Sequence, residues 1–275
     1  MRYISVMCIT LMSLLLASCD VEFEADPNET PIATGSAVFP LVELQPPTQA
    51  LNILFVADDS YGDLSNLANR QAFLDDIEQV IEDGYWQNNS YWVNFFHFNY
   101  YYLIDTGSAG PPSGTSICPT VTWPASADTD GAFADLVLLL HTNTLRDCRW
   151  GRKATSEPTS FRTVVHETSH ALFNLPDEYC CDGGYWDMPP VLYSSETACD
   201  TDPANAAWRD CQSYTASNGD VWWRSENSDD DIMSVGGSVV LESGQGDWAV
   251  MRDVFNSLGT AAEPSVFAPD TWDRP

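Results

Sequence analysis

The sequence predicts a mixed α/β (α+β) domain: a layer of strands and helices above a smaller irregular, disulfide-rich half that ends in a helix. Three observations carry that prediction. Two short, unbroken apolar runs, LNILFVA at residues 51–57 and ADLVLLLH at residues 134–141, read as strands covered on both faces. Several longer stretches repeat their apolar residues at helical spacing. Beyond residue 179 the chain is rich in Cys, Gly and Trp and shows no regular period.

The elements follow in order. Residues 1–18 hold Arg2 and then an apolar run shorter than the roughly 20 residues a membrane span needs. They read as an export signal, to be left out of the fold. The run ends in LASC, residues 16–19, which resembles the lipobox of bacterial lipoproteins. That likeness implies that Cys19 becomes a lipidated N-terminus. It also implies an exported bacterial lipoprotein on the periplasmic or cell-surface face of a membrane, tethered by its lipid anchor. Residues 19–49 are acidic and Pro/Thr-rich without a sustained apolar period, so a flexible tether is expected there. The domain proper is expected at residues 50–275, enough for one well-cored domain.

After the first strand, Phe73, Ile77, Val80 and Ile81 recur at helical spacing, with Gly84 as the expected stop. Residues 91–104 are aromatic-rich with partial alternation and predict one long strand. His97 within them is expected to be a core residue. Residues 105–130 read as a long loop with a short edge strand at PTVTW. His141, closing the second apolar run, is given a structural role. The stretch TVVHETSHALFNLPDEY, residues 163–179, opens in a helix with Thr159 or Ser160 as its N-cap. The last helix, residues 246–259, puts Trp248, Met251, Phe255 and Leu258 on one face, and Gly259 stops it.

The formal charge is −29, with Lys153 as the single lysine. Phosphate contacts need a basic patch, so nucleic acid is excluded as a partner. A monomer is expected. Of eight cysteines, Cys8 leaves with the signal and Cys19 takes lipid. The remaining six, Cys118, Cys148, Cys180, Cys181, Cys199 and Cys211, predict three disulfides in an exported chain. Proximity favours Cys118 with Cys148 and the other four among themselves; a zinc site built from those four is the alternative. The acidic stretches DTDG (residues 128–131) and DDD (residues 229–231) are candidates for Ca2+, which favours oxygen ligands, against the plainer reading of solvated loops.

The HETSH pattern carries the chemistry. A helix turns once in about 3.6 residues, so His166 and His170 share a face and can hold one Zn2+. Glu167 lies one residue round the helix, where it can reach a water without being a ligand. A catalytic zinc takes a third protein ligand. Asn174 tolerates a left-handed turn and Pro176 bars further helix, so the chain can fold back. Asp177 and Glu178 then arrive as the alternatives for that ligand. The plainer reading is an amphipathic helix followed by a solvated acidic turn.

Downstream, DIMS places Met233 just before the last helix. This arrangement resembles the Met-turn of the metzincin metallopeptidases. Across roughly residues 50–260 the chain is most similar to their IgA-peptidase-like members, on "NILFVADDSY", "ADLVLLLHTN", "VVHETSH", "PDEY" and "WWRSENSDDDIMS". The resemblance implies a metzincin-like mixed twisted sheet. It implies a zinc endopeptidase acting on proteins outside the cytoplasm, with a water activated by zinc and Glu167. It makes His166 and His170 ligands, Asp177 the preferred third, and Met233 the floor of the site. The chain departs from the commoner pattern at Phe173 and Pro176, where glycine and the third ligand usually stand, and at Val235, where some members have tyrosine. The alternative is a membrane-tethered, ligand-binding lipoprotein with structural or absent zinc.

Overall fold

The computed structural model describes residues 22–178, 185–203, 211–216, 218–224, 231–233 and 243–259. The expected signal segment, Cys19, Cys180, Cys181 and Val235 lie outside the described residues. No helix among the described residues is long and apolar enough to cross a membrane.

The fold is mixed α/β. In chain order its strands are β1 (Val38–Val42), β2 (Leu51–Asp58), β3 (Phe98–Gly110), β4 (Thr120–Thr122), β5 (Leu136–Leu140), β6 (Arg149–Trp150), β7 (Lys153–Ser156), β8 (Leu192–Tyr193), β9 (Gln212–Thr215) and β10 (Val221–Arg224). Its helices are α1 (Leu67–Gln79), α2 (Asn89–Val93), α3 (Ser126–Thr129), α4 (Phe161–Phe173), α5 (Glu196–Thr201) and α6 (Gln245–Ser257). The main sheet has seven strands in the order β1-β3-β2-β5-β7-β6, with β4 paired to β3. The β2, β3, β5 and β7 pairings are parallel; β1, β4 and β6 run antiparallel to their neighbours. A second sheet, β8-β10-β9, is antiparallel.

The two apolar runs become β2 and β5, side by side in the middle of the main sheet. Alternate residues face opposite cores. Ile53, Phe55, Leu136, Leu138 and Leu140 pack with α1, α4 and α6, while Leu54, Val56, Val137 and Leu139 pack with Ala127, Ala134 and Leu103. Both faces are covered, which explains unbroken apolarity where a half-exposed strand would alternate.

Three expectations are corrected. Residues 22–49 are not a free tether. Phe23 is buried, its N–H donates to the Glu78 carboxylate at 3.1 Å, and β1 closes the edge of β3. The acidic, proline-bearing composition hid one short apolar strand, VFPLV. The long strand expected at residues 91–104 begins only at Phe98 and runs on to Gly110; before it lie α2 and a 3-10 turn, Phe95–His97. Asn88 caps α2 by accepting from the Ser90 and Tyr91 N–H groups, a local signal that outweighs the aromatic β-preference. Gly84 does not stop the first helix. α1 passes into a π-helical turn, Val80–Gly84, and then into a 3-10 turn, Tyr85–Gln87.

Other expectations stand. β4 is the short edge strand, α6 buries Trp248, Met251 and Phe255, and Gly259 takes a left-handed φ of 75°. His97 is buried and stacked on Phe255 at 5.2 Å. The disulfide Cys118–Cys148 forms as proximity suggested, and Cys199 pairs with Cys211. The lower half is less irregular than expected, since it holds α5 and the three-stranded sheet.

Candidate metal centre

α4 is the helix expected from HETSH; eight of its thirteen residues are buried and the rest are part-exposed. Val164, Val165 and Phe173 meet the main core. Its polar side is not solvated either. Thr168 Oγ1 lies 2.8 Å from the Tyr85 hydroxyl, and Ser169 Oγ lies 3.1 Å from the Tyr91 hydroxyl. Buried hydroxyls need such partners, so two tyrosines from outside the helix fix its rotation. Ser160 holds the N-cap position but makes no capping bond through its side chain. At the other end Asn174 adopts φ 55° and ψ 33°, the left-handed turn anticipated from its type.

That turn brings Asp177 back to α4. The Nε2 atoms of His166 and His170 are 3.0 Å apart, and Asp177 Oδ1 is 3.3 and 3.2 Å from them. All three residues are buried. The ring tautomers follow from the far sides of the rings. His166 Nδ1 lies 2.9 Å from the Ile232 carbonyl and His170 Nδ1 lies 2.6 Å from the Leu175 carbonyl. A carbonyl has no proton to give, so each Nδ1 is the donor. In neutral rings both Nε2 atoms then present lone pairs, aimed at each other and at a carboxylate oxygen. Such a cluster is repulsive unless a proton or a metal cation sits within it.

The donor set fits zinc. Ligand atoms about 2.0–2.2 Å from a tetrahedral centre lie about 3.3 Å from one another, and the observed separations are 3.0, 3.2 and 3.3 Å. The electrostatics agree with a demand for positive charge. Burial opposes ionisation of Asp177, but contacts with both imidazoles outweigh it and hold its carboxyl well below the usual range. Burial likewise lowers His170, and is outweighed by the hydrogen bond and charge of Asp177, the charge of Glu167 and the Leu175 carbonyl, so its pKa is raised. Glu167 is pushed up mainly by its own burial, partly offset by the two histidines.

Of the two alternatives for a third ligand, Asp177 reaches the imidazoles and Glu178 does not. Glu178 turns toward Asp231 and Asp247, three buried carboxylates whose oxygens lie within 4.8 Å of one another. Asp231 is the described member of the DDD stretch; Asp229 and Asp230 lie outside the described residues. In DTDG the carboxylates are engaged by the protein: Asp128 by Lys153 at 2.7 Å and Arg152 at 3.2 Å, and Asp130 by the Ala37 N–H at 2.7 Å. Gly131 is there for close approach, since a Cβ would fall 2.4 Å from Leu54 Cδ2.

Met233 is fully buried in the main core. The chain around it holds the site: Ile232 O receives His166, and Met233 O receives the Glu178 N–H at 3.0 Å. His141 has the structural role expected, with Nδ1 2.9 Å from Asn143 O and Nε2 3.1 Å from Asp147 Oδ1. Sequence reasoning missed Tyr214, whose hydroxyl donates to the Asp177 carbonyl at 2.9 Å. It also missed Arg162, which donates to Ile232 O at 3.1 Å. No local pattern marks either, because their partners are 37 and 70 residues away. Comparison of the chain with protein-family models and with curated proteins finds no match.

Proposed function

We propose that the protein is a zinc-dependent endopeptidase of metzincin type, acting on peptide bonds outside the cytoplasm. One observation carries the reading: two Nδ1-protonated imidazoles and a carboxylate turn three lone-pair atoms toward a common point. His166, His170 and Asp177 would hold the ion. Bound there, zinc supplies Lewis acidity toward a water and a peptide carbonyl. The chain's own residues do the rest. The Ile232 and Leu175 carbonyls hold the rings with Nε2 facing inward. Glu167, buried beside the ligands and outside their set, takes a proton from the attacking water and delivers it to the leaving amine.

The reading favours catalysis over a purely structural metal because, among the described residues, the cluster offers three ligands, whereas a closed structural zinc site takes four. The test is cleavage of an unbiased peptide mixture by wild type and by Glu167→Gln, with zinc content measured on both. We expect equal zinc and a rate lower by about 10²–10⁴ in the variant. Wild-type cleavage by Glu167→Gln would remove the general base from the account. Zinc without cleavage in the wild type would leave a binding protein.

A further inference from the structure

His166 and His170 are one turn apart on a buried helix, so α4 sets their register. Asp177 has no such support, because it stands on the loop beyond Asn174 and Pro176. The small sheet grips that loop at two successive carbonyls. From β9, the Tyr214 hydroxyl donates to Asp177 O at 2.9 Å; from β10, Arg224 Nη1 donates to Glu178 O at 3.4 Å. The two strands are neighbours, with Trp222 opposite Tyr214 and Arg224 opposite Gln212. Arg224 Nη2 also reaches Gln212 Oε1 at 3.3 Å. Cys211, directly before β9, is stapled to Cys199 on α5. The Tyr214 ring lies 5.8 Å from that of Tyr185, which stacks on Trp222 at 6.2 Å. The hydroxyl is therefore presented by a ring packed among aromatics, on a strand stapled at its start.

We propose that Tyr214 is a positioning residue for the metal ligand Asp177: acting through the Asp177 carbonyl, it keeps the carboxylate in reach of both imidazoles. The small sheet then sets the affinity of a site whose other two ligands come from α4. This inference rests on the reading of His166, His170 and Asp177 as a zinc site. It does not depend on what that zinc does.

The size of the effect follows from populations. When the hydroxyl is lost, the loop spends part of its time with the carboxylate out of place, and apparent affinity falls by the fraction remaining in place. A partner bonded directly to a ligand's side chain typically changes metal affinity by about 10–100-fold. Tyr214 is one bond further removed, at the backbone, so one ordinary hydrogen bond's worth is expected, about three- to tenfold.

The experiment is a Zn2+ titration of the full chain in competition with a chromophoric chelator, on wild type, Tyr214→Phe, Asp177→Asn and the double variant. Phenylalanine keeps the ring and its aromatic packing, so only the hydroxyl is removed. We expect Tyr214→Phe to weaken zinc about three- to tenfold when Asp177 is present, and to have no further effect in the Asp177→Asn background. Unchanged affinity in Tyr214→Phe would overturn the proposal. So would equal weakening in both backgrounds, which is the mark of general loosening and not of action through Asp177. A wild-type chain that binds no zinc would overturn the inference and the metal centre together. A chain that binds zinc and cleaves no peptide would remove the peptidase reading and leave Tyr214 in place.

Discussion

At the scale of single residues, the site depends on backbone conformations and protons that a few side chains secure. Asn174 is the one described residue other than glycine with a positive φ, 55°. A β-carbon without a polar group to bond locally costs about 1–2 kcal/mol in that region. Asn174→Ala should therefore lower the free energy of unfolding by about 1–2 kcal/mol, read as a shift in urea midpoint at constant slope, while Asn174→Gly should stay close to wild type. Equal midpoints for alanine and asparagine would mean that the turn does not require this conformation. His141 offers a titration. Burial lowers its pKa, but the hydrogen bond and charge of Asp147, the Asn143 carbonyl and the charge of Glu157 outweigh burial and raise it above 6.5. The folded state thus holds the proton more tightly than the unfolded chain. The stabilisation is complete below the unfolded value of about 6.5 and is lost as pH rises through the folded one. The gap in melting temperature between wild type and His141→Gln should be widest on the acid side and shrink toward alkaline pH; a gap that grows with pH contradicts the assignment. Both features were partly legible in the sequence. Asn174 before Pro176 is punctuation that any reading of a helix end would use, and a histidine closing an apolar run is a visible exception. The Asp147 partner six residues on was not marked by any period.

At the scale of elements, legibility followed the length and regularity of the pattern. β2 and β5 were readable as unbroken apolar runs covered on both faces, and α4 and α6 because each repeats its apolar residues at the period of a helix. β6, β7 and β8 have two to four residues each, too few to show a period against their neighbours. β1 was hidden for a different reason: its flanks are acidic and proline-bearing, so average composition described the segment and its five residues did not. That strand has a mechanical consequence. It covers the outer edge of β3, and the segment before it adds Phe23 to the main core and bonds Ala25 N–H to Gln71 at 2.8 Å. Glu29 reaches both Arg70, at 3.9 Å, and the Tyr102 hydroxyl. An exposed strand edge is a template for association between chains. A chain beginning at Ala50 should consequently melt at lower temperature than one beginning at Glu22, and should form soluble oligomers or aggregates on sizing chromatography. If the shorter chain is monomeric with an unchanged melting temperature, residues 22–49 are a tether after all, and the contacts of β1 carry no weight.

At the scale of the whole molecule, charge is the dominant fact. The chain has 40 acidic against 11 basic residues, and the described ion pairs neutralise few of the carboxylates: Asp128 is met twice, by Lys153 and Arg152, while Arg252 meets its own neighbour Asp253. Folding draws like charges together that an expanded chain keeps apart, so self-repulsion weighs on the native state more than on the unfolded one. The range of that repulsion is set by salt, about 30 Å at 0.01 M and about 3 Å at 1 M. Screening should therefore stabilise the fold. Urea unfolding of the metal-free chain, with a chelator present so that cation binding does not contribute, should give a midpoint that climbs from about 0.01 M to about 1 M NaCl. Urea is uncharged and leaves ionic strength under independent control. Most of the rise should fall below about 0.2 M, where the Debye length shortens fastest; a rise continuing steadily toward 1 M would point instead to salt excluded from apolar surface. The ion pairs at the surface work in the opposite sense, since salt weakens Asp128–Lys153 and Asp128–Arg152, whereas it screens the buried Arg70–Glu29 much less. Exposed pairs contribute at most about 1 kcal/mol each. A midpoint that is flat or falls with NaCl would mean that these few contacts outweigh a net charge of −29, and that the acidic surface is arranged in pairs that the fold does not otherwise reveal.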